Sequence, residues 1–102
     1  MIREKEIGLK KEQLKAVQSV LGKYPGVEQA ILYGSRARNR HQPGSDIDLA
    51  LIGEHLTWDD LLLIRHDLES LWLPMKCDVL DLKTVRDQDL VKRIRTEGKR
   101  IY

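Results

Sequence analysis

Gly34-Ser35-Arg36-Ala37-Arg38, followed after a short spacer by Gly44-Ser45-Asp46-Ile47-Asp48-Leu49-Ala50-Leu51, decides how this chain reads. Asp46 and Asp48 stand two apart in a β-rich run, so both side chains leave the same face of a strand, with Cα atoms roughly 6.6 Å apart. Like charges on one sheet face repel and lose hydration unless cations sit among them. Hard cations such as Mg²⁺ favour carboxylate oxygen together with the oxygen of a substrate phosphate. Gly34 lets the backbone approach such a phosphate with no Cβ in the way. Ser35 offers a hydroxyl and an N–H at the start of a short helical turn. The pattern points to phosphoryl or nucleotidyl transfer.

Upstream of this stretch, Val27 to Tyr33 is a short β-rich run ending abruptly at Gly34-Ser35, and Leu14, Val17 and Leu21 predict an amphipathic helix from about Leu9 to Leu21. Arg36 to Arg40 reads as one helical turn, His41 to Ser45 as a loop, and Asp46 to Ile52 as the second strand. Downstream, Thr57 with Asp60 resembles a capping box. Leu61, Ile64, Leu68 and Leu71 then form the apolar stripe of a helix over about 58–72, stopped by Leu73-Pro74. Lys76 to Leu82 reads as a third strand in which Asp78, Leu80 and Leu82 share one face and Cys77, Val79 and Asp81 the other. Asp87 to Glu97 reads as a last helix before Gly98, with Lys99 to Tyr102 as a tail. The expected class is α+β, a small mixed β-sheet with helices packed against it.

The 102 residues suit a single domain, residues 1–102, with one core and no room for a separate domain to hold a second substrate. Apolar residues at 41% and charged residues at 33% argue for a packed chain rather than disorder. The net charge of +2 does not require a nucleic-acid partner. Cys77 is the lone cysteine, no apolar run approaches a bilayer span, and the start Met-Ile-Arg-Glu-Lys-Glu lacks the apolar core of a secretory signal. The expectation is a cytoplasmic protein with no membrane role.

In a two-metal transfer, one cation activates the attacking hydroxyl and the other neutralises charge on the triphosphate and leaving pyrophosphate. Asp46 and Asp48 can supply bridging and terminal ligands. Asp78, arriving from another strand, can complete the site or accept the hydroxyl proton. Arg36 and Arg38 add positive charge beside the Gly34-Ser35 grip, and Ser45 joins them as a candidate nucleotide contact.

Taken together, the Gly34-Ser35 pair, the Asp46 and Asp48 pair, the later Cys77-Asp78-Val79-Leu80-Asp81-Leu82 and the closing Glu97-Gly98-Lys99-Arg100-Ile101-Tyr102 resemble the minimal nucleotidyltransferases of the DNA polymerase β superfamily. The resemblance spans nearly the whole chain and implies a nucleotidyltransferase fold, with Asp46, Asp48 and Asp78 as metal ligands. It further implies an ATP donor, two Mg²⁺ ions and transfer of AMP to an acceptor hydroxyl. Small stand-alone members are typically encoded beside an all-helical HEPN partner, and the pair behaves as a toxin–antitoxin module. The resemblance therefore implies an antitoxin that adenylylates a tyrosine of its partner. Asn39 stands where many relatives carry Gly, and Asn tolerates left-handed backbone.

Plainer readings stand beside these. Asp46 and Asp48 lack the further oxygen ligands and terminal Glu of a calcium loop. His41, His55 and His66 show no zinc-ligand spacing. Cys77 reads as a small buried apolar residue, Asp81 as structural, and Trp58 and Trp72 as core or partner-contact residues. The basic run Lys92, Arg93, Arg95, Lys99 and Arg100 reads first as a solvated helix face. Two rival functions remain: an antitoxin that neutralises its partner by binding alone, and a transferase acting on a small hydroxylated molecule.

Overall fold

The computed structural model describes residues 7–42 and 44–102; the opening Met1 to Glu6 and Pro43 of the expected loop lie outside the described residues. Helix α1 (Lys11–Leu21) leads to β1 (Gln29–Tyr33) and β2 (Ile47–Ile52). Helix α2 (Trp58–Glu69) connects β2 to β3 (Cys77–Asp81), and a 3-10 turn at Leu82–Thr84 leads into α3 (Gln88–Glu97) and β4 (Lys99–Arg100). The four strands form one mixed sheet in the order β3-β2-β1-β4. β1 runs antiparallel to β2 and β4, whereas β2 and β3 are parallel, joined through α2. Among the described residues no helix is long and apolar enough to cross a membrane.

Strand parity sorts the core. Ile47, Leu49 and Leu51 of β2, all fully buried, pack with Ala30, Leu32 and Val79 against Leu14, Val17 and Leu21 of α1 and Leu61, Ile64 and Leu68 of α2. The alternate residues of the same strands face the other way, where Ala50, Ile52, Ile31 and Leu80 meet Leu90, Val91 and Ile94 of α3. The first face is thick and covered by two helices; the second is covered by one.

The expected capping box is present. Thr57 Oγ1 accepts the Asp60 N–H at 3.1 Å and the Asp60 carboxylate accepts the Thr57 N–H at 3.1 Å, which fixes the start of α2. Three differences from the sequence reading bear on the site. The helix expected to run to about 72 stops at Glu69, because Leu71 and Trp72 donate to Leu68 and Glu69 in a tightened last turn and Trp72 then adopts φ 54°. β2 begins at Ile47, so Asp46 closes the preceding turn.

The third difference is topological. The expected tail is an edge strand: Lys99 and Arg100 pair with Leu32 and Ile31, and the Ile101 N–H donates to the Ala30 carbonyl at 2.9 Å. Gly98 makes the return possible, since a Cβ there would lie 2.2 Å from the Ile94 carbonyl oxygen and 2.4 Å from Ile31 Cγ2. Ile101 then enters the main core at 4% exposure.

Candidate active site

Asp48 is the centre of the site. In the antiparallel ladder it stands opposite Tyr33, and in the parallel ladder it is the partner of Asp78. The two acids therefore share the α3-side face of the sheet, as the alternation within β3 predicts. Asp46, two residues before Asp48, stands exposed at the mouth of the turn. The half-buried Asp48 carboxyl is held above its usual proton affinity, first by burial and then by the charges of Asp46 and Asp78. Tyr33 responds to the same surroundings: burial, then Asp48 and Asp78, push its phenol up to about 12. Asp48 and Tyr33 thus both stand in the field of Asp78, and Asp48 in that of Asp46 as well.

Gly34 closes the site from the side. It has φ +79°, the geometry that favours glycine, and a Cβ at this position would lie 2.8 Å from Asp48 Oδ2 and push that carboxylate aside. Beyond it, Arg38 N–H donates to the Gly34 carbonyl at 3.2 Å and Arg40 N–H to that of Ser35 at 2.9 Å, making a compact turn that presents the half-buried Ser35 next to Asp48's strand. Asn39 has φ 56°, the left-handed geometry that asparagine tolerates.

Arg36 departs from expectation. Rather than reaching toward a triphosphate, its side chain turns inward and is 1% exposed. Nη1 donates to the carbonyls of Ile7 at 2.9 Å and Gly8 at 3.0 Å, while Nε and Nη2 both donate to the Ser45 carbonyl, at 3.1 and 2.8 Å. Burial lowers its proton affinity and the Asp46 carboxylate opposes that. Arg36 is a clamp: it ties the segment before α1 to the residue preceding Asp46. Ser45 is likewise engaged, its Oγ accepting the Gln42 N–H at 2.8 Å, which leaves its hydroxyl hydrogen able to donate outward.

Arg38, by contrast, is exposed and lines a cleft with Tyr33 and Gly34. Asp81 faces away from Asp78, is 6% exposed, and accepts from Lys83 Nζ at 2.7 Å; the same ammonium donates to the carbonyls of Gly53 and Leu56. Its role is structural, as expected. Trp58 and Trp72 are not core residues, being 66% and 90% exposed. The sequence reading passed over Tyr33, although its place immediately before Gly34 and the hairpin register put it across from Asp48.

These groups fit divalent cations. Burial first, and then the charges of Asp46 and Asp78, make a bare Asp48 carboxylate costly, a cost that a bound cation relieves, and a small space lies between Gly34 and Asp48 Oδ2. Yet among the described residues no group of three acidic, histidine or cysteine side chains forms a metal-holding set by itself. The full three-acid ligand set expected from the sequence is thus not closed by protein groups alone. Such an arrangement suits Mg²⁺, which keeps waters and takes phosphate oxygens among its ligands.

Solved structures share this architecture. A toxin–antitoxin complex with AMP-PNP is 22% identical over 87% of this chain and 72% of its own, with a TM-score of 0.72. The MntA-HepT toxin–antitoxin structure is 20% identical over 91% of this chain and 72% of its own, with a TM-score of 0.68. A complex of tri-AMPylated HEPN toxin with MNT antitoxin from Shewanella oneidensis is 20% identical over 90% of this chain and 71% of its own, also at 0.68. No curated protein matches this chain significantly. The profile of the family described as "Polymerase beta, Nucleotidyltransferase" matches residues 15–102, from within α1 through both acid-bearing strands to the last residue, and this chain belongs to that family.

Proposed function

We propose that this nucleotidyltransferase moves AMP from ATP to a hydroxyl, a tyrosine of a HEPN-type toxin, and so acts as its antitoxin. The observation that carries the reading is the alignment of Asp48 with Asp78 across β2 and β3, with Gly34 packed against Asp48. A toxin–antitoxin relative holds AMP-PNP, and another contains a tri-AMPylated HEPN toxin.

Asp46 and Asp48 would hold two Mg²⁺ ions, with Asp78 as third ligand or as base. Held there, such ions would supply positive charge to offset that on the α-phosphate and on the departing pyrophosphate. Gly34 and Ser35 grip the triphosphate, so that the α-phosphorus lies over the acids. The acceptor oxygen forms a bond to that phosphorus as the bond to the β-phosphate oxygen breaks; pyrophosphate leaves and the hydroxyl proton passes to Asp78 or solvent. Tyr33, held neutral by its high proton affinity, walls the site opposite Asp48 without competing as a base.

A protein acceptor is supported by the outer face of α2. Trp58 and Leu62 lie one turn apart, Leu63 adjoins them and Trp72 follows the helix; all four are exposed. Incubating the chain with its HEPN-type partner, ATP and Mg²⁺ should raise the partner's intact mass in steps of one adenylate, and D46N or D48N should abolish the increments. Unmodified partner with the wild-type enzyme, or full modification with both variants, refutes the reading. The same exposed face favours one other reading, an antitoxin that works by binding alone. There D48N would still protect cells from the toxin as well as wild type does.

A further inference from the structure

On its α3 side the Gly34 turn borders a cleft. Tyr33, Gly34, Arg38, Leu90, Arg93 and Glu97 line a cleft of about 160 Å³ between the end of β1 and α3. Two arginines from distant parts of the chain thus converge on the glycine that touches Asp48. Both are exposed, and neither guanidinium is ion-paired among the described residues. Arginines that converge unpaired on a cleft with apolar walls are suited to a multiply charged oxyanion, because the low-dielectric wall strengthens a bidentate contact. The volume is informative too: sites for drug-sized ligands run from about 300 Å³ upward, so this cleft suits phosphate groups rather than a nucleoside.

We infer that the cleft between Arg38 and Arg93 receives the β- and γ-phosphates of the donor and then the pyrophosphate, which makes α3 part of the nucleotide site. The inference rests on the nucleotidyl-transfer reading above and adds Arg93, from a helix the sequence reading left as a solvated face. Gly34 is common to cleft and acid cluster, so a triphosphate lying in the cleft has its α-phosphate at the Asp48 end. Glu97, one helical turn after Arg93, is the one wall group that opposes an anion. Arg95, two residues from Arg93, lines separate cavities with Ile52 and Leu82 and has no part in this one.

Calorimetric binding of ATP, pyrophosphate and AMP to the full chain with Mg²⁺ tests this. R93Q should weaken ATP and pyrophosphate about tenfold, the size of one lost charge-assisted contact, while AMP affinity stays unchanged. R93K should recover part of the loss, E97Q should tighten pyrophosphate, and R95Q should change nothing. Wild-type ATP affinity in R93Q, or an equal loss in R95Q, overturns the role of the cleft and leaves the transfer reading standing. A wild-type chain that binds neither ATP nor pyrophosphate sinks both.

Discussion

Gly34 and Asp48 are matched to each other: the glycine's positive φ of 79° aims its missing Cβ at a point 2.8 Å from Asp48 Oδ2. A turn and a strand that meet this closely place the candidate phosphate grip and the candidate metal ligand in one contact. The Gly34 side of this contact is set by backbone geometry, and the Asp48 carboxylate is the one part of it that can turn to adjust.

G34A should therefore fail in two ways at once. Placing a non-glycine residue at positive φ costs on the order of 1–3 kcal/mol, and the new methyl displaces the Asp48 carboxylate. Thermal melts should show the stability loss. Partner modification should fall further than the lost folded fraction accounts for.

Asp48 should make stability depend on pH and on Mg²⁺ in opposite senses. Its folded-state proton affinity is raised above the ordinary value of 3.8, so the folded chain binds this proton more tightly than the unfolded chain. The stabilising contribution is full below 3.8 and is lost as pH rises through the higher folded value. D48N has no such loss, so its melting temperature should gain on wild type across that rise in metal-free buffer. Adding Mg²⁺ at neutral pH should raise the wild-type melting temperature and leave D48N nearly unmoved. Identical Mg²⁺ responses in the two proteins would remove Asp48 from the metal site.

Arg36→Ala should be a stability mutant. It deletes a buried guanidinium and leaves the carbonyls of Ile7, Gly8 and Ser45 without their donors, a loss of about 2–4 kcal/mol by the usual cost of buried unpaired groups. Urea titration measures it. The folded fraction of R36A should bind pyrophosphate nearly as wild type does, in contrast to R38Q.

Asp78 and Asp81 lie three residues apart and should separate cleanly. D78N removes an exposed charge on the active face, so it should abolish or cripple transfer with melting little changed. D81N weakens the buried partner of Lys83, and should lower stability by about 1–3 kcal/mol while the remaining folded protein stays active. A swapped pattern would reverse their assignment.

Much of this was legible in the chain because it is local. The alternation along β2 puts Asp48 with Ala50 and Ile52 on the face opposite Ile47, Leu49 and Leu51 in any extended backbone. The alternation through Cys77 to Leu82 likewise puts Asp78 and Asp81 on opposite sides whatever the strand's neighbours. The Thr57 and Asp60 cap and the left-handed Asn39 are likewise decided within a few residues.

What needed the tertiary structure was every relation between distant segments. The basic run after Gly98 carries no strand pattern, and becomes β4 because Ala30 offers it an open edge and the core accepts Ile101. Arg36 and Arg38 are equivalent charges by sequence, two apart in one turn; packing sends the first inward to three carbonyl groups and leaves the second at the cleft. Arg93 looks like any solvated cation on α3 until that helix is laid across the sheet beside Gly34. Periodicity and spacing act through the backbone of neighbouring residues, and so the chain alone determined its helices, its first three strands and which of their residues share a face. Which strand lies next to which, and which charge meets which cavity, is decided by long-range burial, and only the folded chain holds that.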